Sequence, residues 1–298
     1  MRNVTIEIEG LNITATPHTG DTYINLLKSA GKLKDPIKFY GSHYAVVREV
    51  KLSGDGRWVI GRVYRFLDFN SLQKWFNIER DEEAGEDDVR KILIPPHLKP
   101  EFSATDFAFF VERHQLFFVS FTEDKKSFRA SRFGVFFSNL LNHGSVSGGK
   151  QVNVTPIPQK DSLKHMRSLR ELQKVSICLK EPNPDDLYEA EKMVQRKLEA
   201  MHARRIDVNI SAIAGESLVL DQEMNQFAAV ASENGSVSWR GINQEGVSVA
   251  GSTLQYPWRM PLRVGSEHSG SVVFRTAIRG YVAQEGTDFS RIGSGDGE

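Results

Sequence analysis

The hydrophobic pattern is strongest between Phe107 and Leu141. Phe107, Phe109 and Val111 alternate, and Phe117, Val119 and Phe121 alternate after a short polar link, Glu112-Arg113-His114-Gln115. Alternation buries one side of an extended chain, so the two runs predict a β-hairpin. After a basic loop, Phe133, Phe136, Phe137, Leu140 and Leu141 recur at helical spacing, with Ser131 placed as a cap and Gly144 just past the end. This helix is expected to lay its apolar face on the hairpin.

The rest of the chain reads in the same way. Val4, Ile6 and Ile8 make a strand that Leu11 and Ile13 continue, or pair with, after Gly10. Asp21 is placed to cap a helix closed by Gly31, and strands over 37–52 and from Trp58 to Tyr64 flank the turn Ser53-Gly54-Asp55-Gly56. A short helix is expected from Asn70 through Phe76. The small polar run from Asn142 to Gly149 predicts a linker. Beyond it, Asp161 is placed to cap a helix through Lys174, and Val175–Leu179 make a strand. Asp185 and Asp186 start a helix to about Ala203 whose face is Leu187, Ala190, Val194, Leu198 and Met201. Ile206, Val208 and Ile210 form a strand, Asp221 caps a helix ended by Asn234-Gly235, and Val237 and Trp239 pair with Val247 and Val249. Further strands are expected at 260–264 and 272–278. The predicted class is α+β: two domains, each a mostly antiparallel sheet covered by a few helices. Residues 1–143 form the first, 144–150 the linker, 151–285 an α+β sandwich, and 286–298 a disordered tail.

Charge changes this picture locally. Lys and Arg total 38 and Asp and Glu total 38, so the molecule as a whole has no strong field toward a polyanion. The distribution is uneven, with seven acids within residues 79–90 and ten Lys/Arg against two acids from Lys125 to Lys174. The acidic run reads as a solvated loop, because like charges repel and it lacks the spacing of a calcium loop. The single cysteine, Cys178, sits in the apolar run VSICL; a buried, unbridged thiol is expected, which fits a reducing cytosol. The first ten residues lack a signal-peptide core and no run has the length of a membrane span. A cytoplasmic chain without membrane insertion is expected.

Candidate chemistry is sparse. The sequence holds no Walker lysine loop, Rossmann glycine set, HExxH or paired CxxC, and Val146 stands where a nucleophile elbow needs serine. No catalytic residue, metal site or cofactor is assigned. Arg196 and His202 have a spacing that resembles the HEPN ribonucleases, where arginine steadies phosphate charge and histidine helps move a proton. On one helix these two would point ~120° apart, and the HEPN fold is all-helical. Asp185 and Asp186 could serve as the metal-binding acids of a nuclease, but their position at a helix start explains them as caps.

The basic region carries the main functional expectation. On a helix from Asp161, Lys164, Arg167, Arg170 and Lys174 would share a ~120° arc, with Leu163, Met166, Leu169 and Leu172 facing the sheet. With Lys125, Lys126, Arg129 and Arg132 from the earlier loop they would hold phosphates without reading bases. A solvated helix face is the competing reading.

From the FFVE hairpin through RFGVFFSNLL and VNVTPI to VSICLKEPNPDD, the chain resembles bacterial proteins of unknown function encoded in anti-phage defence loci. In layout it is similar to the phage exclusion protein RexA and the Kiwa protein KwaB. The resemblance implies a dimeric DNA-binding component, with RNA as the other nucleic acid to test, acting with a partner defence protein during infection. Two other functions stay open. One is an infection-activated nuclease using Arg196 and His202 or Asp185 and Asp186; the other is a scaffold that contacts only protein.

Overall fold

The computed structural model describes residues 3–68, 74–92, 95, 97–122, 128–159, 162–182, 189–265 and 270–292. The first half of the chain forms β1 (Asn3–Thr16), α1 (Thr22–Lys32), β2 (Ile37–Tyr40), β3 (His43–Leu52), β4 (Trp58–Leu67), β5 (Phe76–Asn77) and β6 (Glu82–Glu83). It continues with α2 (Glu86–Arg90), β7 (Ser103–Phe110), β8 (Gln115–Thr122), α3 (Ala130–Leu141) and α4 (Gly144–Ser147). The second half forms β9 (Gln151–Pro156), α5 (Lys164–Arg167), β10 (Glu171–Lys180), α6 (Glu189–Ala200), β11 (Arg205–Ser211) and α7 (Gln222–Glu233). It ends with β12 (Gly235–Ile242), β13 (Ser248–Ser252), β14 (Arg259–Gly265) and α8 (Gly270–Ile292).

The class is α+β, with antiparallel sheets packed against helices. A large sheet runs in the order β14-β1-β8-β7-β4-β3-β2, with β9 also paired to β1. A second sheet runs β11-β10-β12-β13, and β5 pairs with β6. The predicted hairpin is β7–β8, with Phe107 opposite Phe118. Helix α3 buries all five predicted apolar residues on it. The Phe133 ring stacks on Phe118 at 3.8 Å, and Phe137 meets Phe107 edge-on at 5.6 Å. With α1, α3 covers one face of the large sheet.

Helix α8 covers the other face and corrects two expectations. Residues 272–278, expected as a strand, are helical, and the expected tail from 286 is helical as far as Ile292. Phe274, Ile278 and Val282 recur every fourth residue and pack on Ile8, Trp58, Phe110 and Phe117. The β-branched pair Val272-Val273 favours a strand locally, but only a helix brings those three side chains to one face.

The run from Asn142 to Gly149 is a built corner and not a linker. It contains α4, whose Val146 is buried, and Gly148 takes a left-handed φ of 56°. The Asn142 side chain bonds both backbone groups of Val152, at 2.8 and 2.9 Å, and so fixes the entry to β9. The sheets therefore do not divide the chain at 144–150: β9, β14 and α8 all join the large sheet, whereas β10 to β13 form the small one. Of the short helix expected from Asn70, residues 69–73 lie outside the described set and Phe76 begins β5. Among the described residues no helix is long and apolar enough to cross a membrane.

Strand β1 runs unbroken through Gly10, so Leu11 and Ile13 continue it. Its buried side chains change sides because Ile8 faces α8 while Leu11 and Ile13 face α1 and α3. Gly10 sits at the changeover, where an added Cβ would lie 2.6 Å from Ile157 Cδ1. Glu9 is fully enclosed, and its carboxylate accepts from the Ala130 backbone N–H at 2.5 Å and from Arg129 Nη1 at 3.0 Å. Arg259 Nε on β14 approaches the same oxygen as Arg129 does, to 3.3 Å. The start of α3 is thus capped by a carboxylate from another strand and not by Ser131, which lies inside the helix.

Removing this carboxylate leaves an orphan N–H, takes from Arg259 its contact and leaves Arg129 with Glu7 alone. Glu9→Ala should lower unfolding free energy in urea by about 1.5–3 kcal/mol, the scale of a charge-assisted hydrogen bond. A loss below about 0.5 kcal/mol, the size of a neutral surface change, would show that α3 is anchored by its phenylalanines alone.

Candidate nucleic-acid interface

Alternation in the small sheet separates two unlike faces. Val175, Ile177 and Leu179 of β10 and Val237 and Trp239 of β12 point into a core with Val194 and Leu198 of α6 and Phe227, Ala228 and Ala231 of α7. Their neighbours in sequence therefore point the other way. Lys174, Ser176, Cys178 and Lys180 on β10 share that outer face with Arg205, Asp207, Asn209 and Ser211 on β11 and Ser236, Ser238 and Arg240 on β12. Among the described residues no helix covers it, and most of the residues on it are exposed.

The register sets the rows. Lys174 lies between Ser211 and Arg240, Ser176 between Asn209 and Ser238, and Cys178 between Asp207 and Ser236. Lys180 lies opposite Arg205. Lysine and arginine thus stand side by side at one end, and lysine and arginine again at the other, ~20 Å apart at ~3.3 Å per residue. Between them is an open depression of about 440 Å³ lined by Ser176, Cys178, Arg205, Asp207, Asn209, Ser236 and Ser238. Arg205 Nε bonds Asp207 Oδ2 at 2.6 Å, and the Ser176 hydroxyl donates to Asn209 Oδ1 at 2.6 Å. Among the described residues neither Lys174, Lys180 nor Arg240 has a carboxylate partner.

The expected basic arc does not form. The helix reaches only from Lys164 to Arg167, and Lys174 belongs to β10. Leucines at 169 and 172 satisfy helical spacing, but β10 gains hydrogen-bonding neighbours on both edges, which a helix here would forfeit. Arg170 lies just before the strand and pairs with Glu171 at 2.9 Å. Arg129 is held by Glu7 and Glu9 on β1, and Arg132 stands 3.9 Å over the Tyr40 ring. Lys125, Lys126 and the expected cap Asp161 lie outside the described residues. Of the six of these cations that are described, Lys174 alone is placed on the outer face. Lys180, Arg205 and Arg240 were missed, although each occupies a polar position in an alternating run.

The other candidates resolve differently. Arg196 donates from Nε to the Lys192 carbonyl, His202 lies beyond α6 at φ 50°, and no hydrogen bond joins the two among the described residues. Asp185 and Asp186 lie outside the described residues. The acidic run holds β6 and α2, and its carboxylates pair with cations: Glu83 with Lys74, Asp88 with Arg80, and Glu86 with Arg90. Among the described residues no group of three or more His, Cys, Asp or Glu is placed to hold a metal ion.

Fold and face together define an α+β protein whose small sheet is helix-covered on one side and polar and open on the other. The chain belongs to the family described as a domain of unknown function, DUF4747, which it matches over residues 4–279. No curated protein matches it.

Cys178 is half-buried on this face, not sealed in the core. Burial pushes its thiol above the ordinary value; Arg205 and Lys180 pull the other way and Asp207 adds to the rise. The neutral thiol is therefore the form present at pH 7. Iodoacetamide labelling should rise with pH through a midpoint above that of a free cysteine peptide. A midpoint below it would mark an activated thiolate.

Proposed function

We propose that the protein binds a nucleic-acid strand through its phosphates along the outer face of the small sheet. The observation that supports this most is Lys174 directly opposite Arg240, with no carboxylate partner for either among the described residues. Like charges across a strand pair are destabilising, and a bound polyanion removes that cost. The serines and Asn209 between the two cationic ends supply neutral hydrogen-bonding groups of the kind that hold phosphate oxygens. None of the outward residues is aromatic, so bases have no stacking platform and binding is indifferent to sequence. DNA is the expected ligand and RNA the alternative. The setting in phage defence, the partner protein and the homodimer rest on the sequence resemblance and belong to the same proposal.

The test is fluorescence anisotropy with single- and double-stranded DNA and RNA at two salt concentrations. Lys174→Glu with Arg240→Glu should weaken binding at least tenfold and flatten its salt dependence, by ~0.7 in the logarithmic slope for each single-strand phosphate no longer neutralised. Bound strand should also shield Cys178, the only cysteine of the chain, from alkylation. Binding that survives the double change and leaves Cys178 reactive would move the site elsewhere.

A further inference from the structure

A second cationic cleft lies on the large sheet beside α8, lined from β3, β4, β7 and α8. It is lined by Glu49, Lys51, Ile60, Gly61, Arg62, Asp106 and Arg275 and encloses about 160 Å³. Its construction begins with an irregularity in β3. Pairing with β4 shifts register between Arg48 and Lys51, so β3 carries one residue more than its partner there. The bulge lets Val47 and Val50 both pack toward α1 while Glu49 and Lys51 face the cleft. Glu49 is held at φ 56°, a conformation that favours glycine. A charged side chain kept in that conformation points to a use for its position.

The polar groups of the cleft form a graded set. Arg62 Nε bonds Asp106 Oδ1 at 2.7 Å and Arg62 Nη1 lies 3.6 Å from Glu49. Tyr64 donates its hydroxyl to Glu49. That hydrogen bond, followed by Arg62 and Lys51, holds the Glu49 carboxyl below the ordinary carboxylate range. Both carboxylates are thus committed to Arg62. Lys51 from β3 and Arg275 from α8 enter the same cleft and make no ion pair among the described residues. Three cations against two carboxylates leave an excess positive charge, and Lys51 and Arg275 come from different layers of the fold. The volume equals about five waters at ~30 Å³ each, enough for a tetrahedral oxyanion.

We infer that this cleft binds a phosphate group, free or at the end of a small phosphorylated molecule, between Lys51 and Arg275 above the Arg62–Asp106 pair. The site is on a different sheet from the outer face of β10–β12 and does not depend on that reading. Arg275 would give a bidentate contact and Lys51 a point charge, the usual division of work between these residues at phosphates. Calorimetric titration of the full chain with inorganic phosphate, at constant ionic strength and with acetate as the control anion, tests it. One phosphate should bind, and Lys51→Ala and Arg275→Ala should each weaken it at least tenfold without shifting the melting temperature in phosphate-free buffer. Glu49→Gln, which takes a carboxylate out of the cleft, should tighten binding. Titration with glucose 6-phosphate separates the sources: competition with inorganic phosphate shows that the cleft admits a carried phosphate, and lack of competition restricts it to the free ion. No phosphate binding at millimolar concentration, binding matched by acetate, binding indifferent to both cation changes, or weakening by Glu49→Gln would overturn the assignment.

Discussion

The large sheet depends on one carboxylate having all its partners. Glu9 sits without solvent in the middle of β1, and a buried charge is tolerable only when fully matched. Its matches come from three places: the backbone at the start of α3, Arg129 beside it, and Arg259 on β14. The same strand pairs with β8 along one edge and with β14 and then β9 along the other. Segments far apart in sequence therefore meet on β1, and a single charged contact fixes where the helix of phenylalanines begins.

That arrangement explains why a neutral protein presents local positive surfaces. Several carboxylates are used inside the fold or along its own acidic segment: Glu7 and Glu9 on Arg129, Asp106 on Arg62, Glu83 and Asp88 on their own neighbours. Lys51, Arg275, Lys174 and Arg240 are left without such partners among the described residues. A zero total is compatible with anion-binding faces because pairing, and not the sum, sets the local field.

The small sheet shows how alternation makes a two-sided object. From Lys174 to Lys180 every second residue of β10 is a core residue against α6 and α7, and every other one is lysine, serine or cysteine. Gly235 lets β12 come up to β10, since a Cβ there would lie 1.9 Å from the Cys178 carbonyl oxygen. Close pairing at that point sets Ser236 beside Cys178 and, further along, Arg240 beside Lys174. The polar face is a consequence of register, as is its charge.

Period alone determined much of this protein. The β7–β8 hairpin, the apolar face of α3, the strand at Val175–Leu179, the cap Asp221, which accepts from Met224 N–H at 2.8 Å, and the α+β class all follow from spacing over a dozen residues or fewer. Lys174 was found among the candidate cations for the wrong local reason, as part of a helix that stops at Arg167. What only the tertiary structure decided was which strands are neighbours. It set Arg240 beside Lys174 and Arg205 beside Lys180 on β10, joined β9 and β14 to β1, replaced Ser131 by Glu9 at the head of α3, and turned 272–278 into helix. Sequence patterns record which side of an element is apolar, but pairing between distant segments is selected by buried hydrogen bonds and charges that no local window contains.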